Sequence, residues 1–331
     1  MGGGPSTPAL AAAVSNAGAL GSLAGGYLAP EAILEEVRQT RALTERPFAI
    51  NLFAELHPTP PGEAQIHAWL EFLKPYHAQL GLPEPVMPAT VAEPFAAQFE
   101  AVLEAQPAVF SFTFGIPEAH YLDALRESGI LIVGTVTTVE EGKALEAAGV
   151  DGVVSQGSEA GAHRGTFLHD FDEAMIPTLD LVKALASTIS TPIIASGGIM
   201  DGGHIDLALS CSAELVQLGT AFLTCDEAGT SAPYRQALQD ATDDTTTIIT
   251  AYSGRAARGL PNRFVEEAQQ LPPLPYPYQN ALTRPLRAAA AKQDRAEFLS
   301  LWAGQGVTRT RSMPAATLIE TLTSEMQESQ M

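Results

Sequence analysis

Basic residues are scarce in this chain of 331 residues, which sets 18 Lys and Arg against 38 Asp and Glu for a net charge of −20. So acidic a surface repels phosphate backbones and anionic headgroups, which argues against nucleic acid or membrane as partners; otherwise the charge serves solubility. Cysteine is scarcer still. Cys211 and Cys225 form no C-x-x-C pair and have no His cluster beside them, so neither a disulfide framework nor a metal site is expected. Cys225 reads as a buried structural thiol. No apolar run reaches the ~18 residues, free of Gly, Pro and charge, that a membrane helix needs. No Lys or Arg precedes Arg38, so the first residues do not read as a secretory signal, and the cytoplasm is the expected location. Two nucleotide fingerprints are also missing. Without G-x-x-x-x-G-K-[ST], or G-x-G-x-x-G between a strand and a helix, the Walker and Rossmann sites fall away.

What remains is apolar material: 46% hydrophobic residues with 17% charged, enough for a large buried core. Candidate strands are Ala19–Ala24, Phe48–Phe53, Ala108–Phe114, Leu131–Val136, Gly152–Gln156, Pro192–Ser196 and Leu215–Gly219. They are continuous rather than alternating, as strands buried on both faces should be. Helical stretches separate them: Thr7–Asn16, Pro30–Ala42 and Thr137–Ala148 each open on a start signal, and Gly62–Lys74 runs up to Pro75. This alternation predicts a parallel (β/α)₈ barrel of the TIM type. Seven strands are found where that fold has eight, and a Gly-rich loop, Gly2–Gly4, stands where a first strand should already have passed. The expectation is a barrel lacking its first strand; the alternative is a genuinely open seven-stranded one, with exposed sheet edges. The barrel is expected over 1–227, with an insertion at 54–106. A helical cap over 228–331 would then return onto it, holding Ser253-Gly-Arg-Ala-Ala-Arg-Gly, a Pro-rich linker Leu271–Tyr278, and helices near Pro285–Trp302 and Pro314–Glu328.

Three strands empty into polar, glycine-bearing loops: V-V-S-Q-G-S-E-A-G-A-H-R-G (Val153–Gly165), P-I-I-A-S-G-G-I (Pro192–Ile199) and E-L-V-Q-L-G-T (Glu214–Thr220). Glycine lets backbone N–H groups approach phosphate oxygens, and the last two loops of such barrels commonly hold a phosphate. Gly197-Gly198 and Gly219-Thr220 are the candidates. Asn51 and Gln156 lie near strand ends and offer both donor and acceptor. That suits a ring edge such as a flavin's, and equally suits tying down neighbouring backbone. His163 is the catalytic candidate among seven histidines, by its place in a Gly-rich loop at the barrel mouth, though such a residue can also merely cap or pack. Glu159 and Arg164 flank it and could pair with each other, with a substrate acid or with nothing. His57, His67, His77, His120, His169 and His204 lack such a setting and read as surface residues.

Taken together, G-G-G-P-S-T-P-A-L-A-A-A-V-S-N-A-G-A-L-G, F-A-I-N-L-F, S-Q-G-S-E-A-G-A-H-R-G, A-S-G-G-I, Q-L-G-T and W-A-G-Q-G (Trp302–Gly306) resemble the nitronate monooxygenase family, formerly called 2-nitropropane dioxygenase. The resemblance covers essentially the whole chain. It implies an FMN-dependent barrel that oxidises alkyl nitronates with dioxygen to a carbonyl compound and nitrite. Asn51, Gln156, Gly161, Gly198, Gln217, Leu218, Gly219 and Thr220 would hold FMN, and His163 would be the catalytic His. It would either hydrogen-bond the nitro oxygens or remove the α-proton of a neutral nitroalkane. Two departures stand out: the family's first strand is missing, and the usual A-G-G-H is A-G-A-H, with Ala162 adding a methyl. The flavin-dependent enoyl-acyl-carrier-protein reductase, which uses NAD(P)H, shares the Gly-Gly-His-type loop and is the main rival, but P-S-T-P and I-N-L-F look more like the monooxygenase. A flavin-binding protein without turnover is the third reading.

Overall fold

The computed structural model describes every residue except Leu56, Asp243, Asp244 and Met331. Short apolar runs become strands and the amphipathic stretches between them become helices. In chain order these are α1 (Pro8–Asn16), β1 (Gly21–Ala24), α2 (Pro30–Leu43), β2 (Phe48–Phe53), α3 (Glu63–Gln79), α4 (Phe95–Ala105), β3 (Val109–Thr113), α5 (Ala119–Glu127), β4 (Leu131–Val136) and α6 (Val139–Ala147). There follow β5 (Gly152–Gln156), β6 (Ala162–His163), α7 (Thr178–Ala186), β7 (Ile193–Ser196), α8 (Gly202–Ser210) and β8 (Leu215–Gln217). The last third adds α9 (Ala232–Gln239), β9 (Thr247–Ile249), β10 (Ala257–Gly259), α10 (Arg263–Ala268), α11 (Tyr278–Lys292) and α12 (Ala315–Ser329).

Seven strands form one parallel sheet in the order β1-β2-β3-β4-β5-β7-β8, a TIM-type wall with helices on its outside. Among the described residues the end strands β1 and β8 pair with no further strand. Ile50, Leu52, Phe110, Phe112, Ile132 and Val153 are fully buried in it, as expected of a sheet covered on both faces. Side-chain caps set the helix starts: Thr7 accepts from the Leu10 amide at 3.0 Å, Thr138 from Glu141 at 3.2 Å and Asp201 from His204 at 2.9 Å.

A second core lies over the barrel mouth. Trp69, Leu73 and Tyr76 of α3 pack there with Tyr252, Phe264, Leu282 and Phe298, so the long insertion and the last third of the chain share one apolar centre. That last third is not helical throughout. Strands β9 and β10 form an antiparallel sheet with β6, which pulls the His163 loop into the cap. α12 turns back, burying Ala315, Leu318 and Leu322 in the barrel's own core against α1 and α8.

Two prolines mislead the sequence reading of helix ends. α3 runs through Pro75 to Gln79, and α11 begins seven residues before Pro285. A proline in mid-helix removes one backbone hydrogen bond. Here the buried side chains on either side, Leu73 and Tyr76 in α3 and Leu282 and Leu286 in α11, hold each helix across the gap.

Candidate active site

Parallel strands deliver their carboxyl ends to one face, and there the sequence-predicted residues gather. β5 ends on Gln156, and the chain then makes a long excursion before α7. Gln156 spends its side chain on that excursion: Nε2 donates to His163 O at 2.9 Å and Oε1 accepts from the Gly165 amide at 2.8 Å. Of the two uses the sequence left open, tying down backbone is the one the geometry displays, with a second amide hydrogen left over. Asn51 on β2 donates to Ser111 Oγ at 2.9 Å.

Arg164 and Glu159 do not pair with each other among the described residues. Arg164 is 1% exposed and its guanidinium donates to Gly157 O at 2.5 Å, Gln156 O at 3.0 Å and Ala174 O at 2.9 Å. The Glu159 carboxylate accepts from Thr178 N and Thr178 Oγ1 at 2.9 and 2.7 Å. Glu141, fully buried on α6, accepts from Thr137 on one side and from the Phe167 and Leu168 amides on the other. Together with Gln156, these three side chains staple the loop that carries His163.

His163 itself is held edge to face by two rings and tilted against a third. Its ring lies 5.9 Å from Phe114, 5.7 Å from Tyr276 and 5.5 Å from Trp302, and Nε2 sits 2.8 Å from Ser253 Oγ. Burial, then Arg255 and Arg287, push its pKa from the ordinary 6.5 down to about 3, so the imidazole is neutral at pH 7. Arg255 lies 4.0 Å over the Phe114 ring, and burial lowers it only to about 10, so it stays charged. Tyr27 and Tyr276 lie close to one another nearby, and burial raises the pKa of both phenols. On a chain of charge −20 the recess around His163 is therefore aromatic and cationic. Phe114 and Ala162 hold positive φ angles of 79° and 62°, the strained backbone often met at functional sites.

The glycine loops lie beside this recess. Gly198 has φ +69°, and a Cβ there would stand 3.1 Å from Glu159 Cβ. Gly161 permits a closer approach: a Cβ would fall 2.5 Å from the Gly304 nitrogen. Gly304 in turn donates to Thr220 Oγ1 at 2.9 Å, and Gln305 to Glu159 O at 2.9 Å, so W-A-G-Q-G straps the first and last of the three loops together. Among the described residues, the amides of Gly198, Gly219 and Thr220 donate to no protein acceptor. Gln217 is exposed on the end strand β8, and Leu218 packs on the barrel core.

Sequence reasoning missed Ser253, Arg255, Tyr276, Arg287 and Phe114. The motif Ser253-Gly-Arg was visible but had no stated role. Of the six histidines expected at the surface, His77 is instead buried, with Nδ1 2.7 Å from Pro83 O, because it lies on the inner face of α3 beside Tyr76. Cys225 is fully buried and its thiol is pushed up to about 12 by that burial. Among the described residues no His, Cys, Asp and Glu side chains cluster as a metal site, and no helix is long and apolar enough to cross a membrane.

A parallel barrel wall with loops and polar groups converging at its carboxyl end defines a TIM-barrel-type enzyme. The nitronate monooxygenase family model matches residues 1–325, and the chain belongs to that family of oxidoreductases. It is similar to the nitronate monooxygenase of Pseudomonas aeruginosa, at 44% identity over 98% of this chain and 93% of the relative. Among solved structures it resembles the nitroalkane oxidase from Streptomyces ansochromogenes, with a TM-score of 0.93 and 39% identity, covering 100% of this chain and 94% of the other. FabK from Thermotoga maritima also shares the architecture, with a TM-score of 0.77 and 25% identity over 99% and 91% of the two chains.

Proposed function

We propose that this protein binds FMN and oxidises alkyl nitronates with dioxygen, releasing a carbonyl compound and nitrite. The observation that carries this reading is the pairing, at one strand-end face, of unspent amides with a neutral His163 in a cation-lined aromatic recess. The amides of Gly198, Gly219 and Thr220 fit a phosphate, which takes several N–H donors at once. Leu218 and Gln217 carry that loop, Gly161 keeps the strap close, and Asn51 and the second amide hydrogen of Gln156 would serve the flavin ring. Bound FMN would supply the electron acceptor for the nitronate and the route from there to dioxygen.

The chain's own part is binding and orientation. Arg255 and Arg287 draw an anionic nitronate toward the recess. Phe114, Tyr276 and Trp302 exclude water around it. His163, with its pKa far below neutrality, is a weak base and a serviceable hydrogen-bond donor, so it holds a nitro oxygen rather than removing an α-proton. No nicotinamide takes part.

Heat release and chromatography of the cofactor, with oxygen uptake on ethyl nitronate and NADH oxidation on an enoyl thioester, test the reading together. FMN and nitronate-dependent oxygen uptake are expected. FAD, or NADH turnover without nitronate turnover, would overturn it.

A further inference from the structure

We propose that Ser253 is a positioning residue which donates its hydroxyl hydrogen to His163 Nε2 and thereby fixes His163 as an Nδ1–H donor toward the nitronate. This rests on the reading of His163 as the group that meets the substrate. Ser253 is 1% exposed and lies in the turn between β9 and β10, whose pairing with β6 brings the two residues together across 90 positions of chain.

A neutral imidazole carries one ring hydrogen, and the partner of one nitrogen decides what the other can offer. Here Nε2 is the nitrogen turned to protein, 2.8 Å from Ser253 Oγ. Among the described residues Nδ1 has no protein partner, yet it is not a buried orphan, so it is the nitrogen open to the recess. The Ser253 hydroxyl has one hydrogen and two acceptors in reach, His163 Nε2 at 2.8 Å and Arg255 O at 3.1 Å. Given to Arg255 O, it leaves the ring hydrogen on Nε2 and turns the Nδ1 lone pair toward an anionic oxygen, which repels it. Given to Nε2, it puts the hydrogen on Nδ1, where it meets that oxygen favourably. The Arg255 amide, 3.3 Å from Ser253 Oγ, is a donor to the same hydroxyl and leaves that oxygen's hydrogen free to point at Nε2. The ring has no room to swing away, since Phe114, Tyr276 and Trp302 enclose it.

The test reads the tautomer directly. Nitrogen-15 histidine-labelled holoprotein is examined by NMR at pH 7, with and without saturating nitrate as an unreactive planar oxyanion. The expected result is a hydrogen on Nδ1 of His163 in the nitrate complex. Ser253→Ala should shift it toward Nε2, lower kcat on ethyl nitronate roughly 10–100-fold and leave KM nearly unchanged. Ser253→Thr, which keeps the hydroxyl, should restore both. Ser253→Cys keeps the volume with a poorer donor and serves as the second variant should the alanine protein fail to fold. An Nε2 hydrogen in the parent nitrate complex, or an unaltered tautomer in the Ala and Cys proteins, would overturn the proposal. Because the tautomer is read without turnover, failure of nitronate oxidation as the activity would show separately.

Discussion

At the scale of single residues, the site separates groups that hold the loop from the group that faces the recess. His163 was legible because an apolar strand ran straight into its glycine loop, yet its environment was not. Phe114, Tyr276 and Arg255 come from other loops, and no local pattern announces that they meet. With its pKa near 3, His163→Ala, which removes the donor altogether, should lose activity on nitronate and on neutral nitroalkane alike, by about 10²-fold, as for a removed oxyanion donor. Steady-state oxygen uptake on both substrates, with FMN content held equal, decides this; a loss confined to the neutral nitroalkane would make His163 a base. Gly198 tests the cradle. Its φ of +69° disfavours any side chain, and Gly198→Val would also press on Glu159. That variant should purify without flavin absorbance while keeping its helical circular dichroism.

The elements were readable to different depths for physical reasons. Strands buried on both faces announce themselves by composition, and Phe48–Phe53, Leu131–Val136 and Gly152–Gln156 match the observed β2, β4 and β5. β6, β9 and β10 were invisible. They are two or three residues long and exist only because distant segments pair, so no periodicity marks them. The α6 start was legible from T-T-V-E-E, but not that Glu141 reaches the loop after β6. Its carboxylate serves Thr137 and the Phe167 and Leu168 amides in full burial. Glu141→Gln replaces one acceptor by a donor facing donors. It should cost about 1–3 kcal/mol in urea unfolding and speed hydrogen exchange at the 167 and 168 amides. Unchanged exchange there would mean that Arg164 and Gln156 hold the loop alone.

On the scale of the whole molecule, a strongly acidic exterior surrounds a recess whose nearest charges are cationic, and that contrast makes acid sensitivity a readable property. Well above pH 6.5 His163 is neutral in both folded and unfolded chains and contributes no pH dependence. As pH falls from 6.5 toward 3 the unfolded chain gains a proton on this residue that the folded chain refuses. Stability contributed by the neutral ring is therefore lost on the acid side, at no more than about 1.4 kcal/mol per pH unit. His163→Asn removes the titrating group, so the variant should lose less stability between pH 7 and pH 5 than the parent does. Urea midpoints at both pH values measure this. The carboxylates act equally on parent and variant, so the difference between the two proteins isolates His163. Equal losses would show that the ring takes up a proton without leaving its place between Phe114, Tyr276 and Trp302. Burial, with Arg255 and Arg287, would then be insufficient to keep His163 neutral, and the hydrogen-bonding role assigned to it would give way to that of a base.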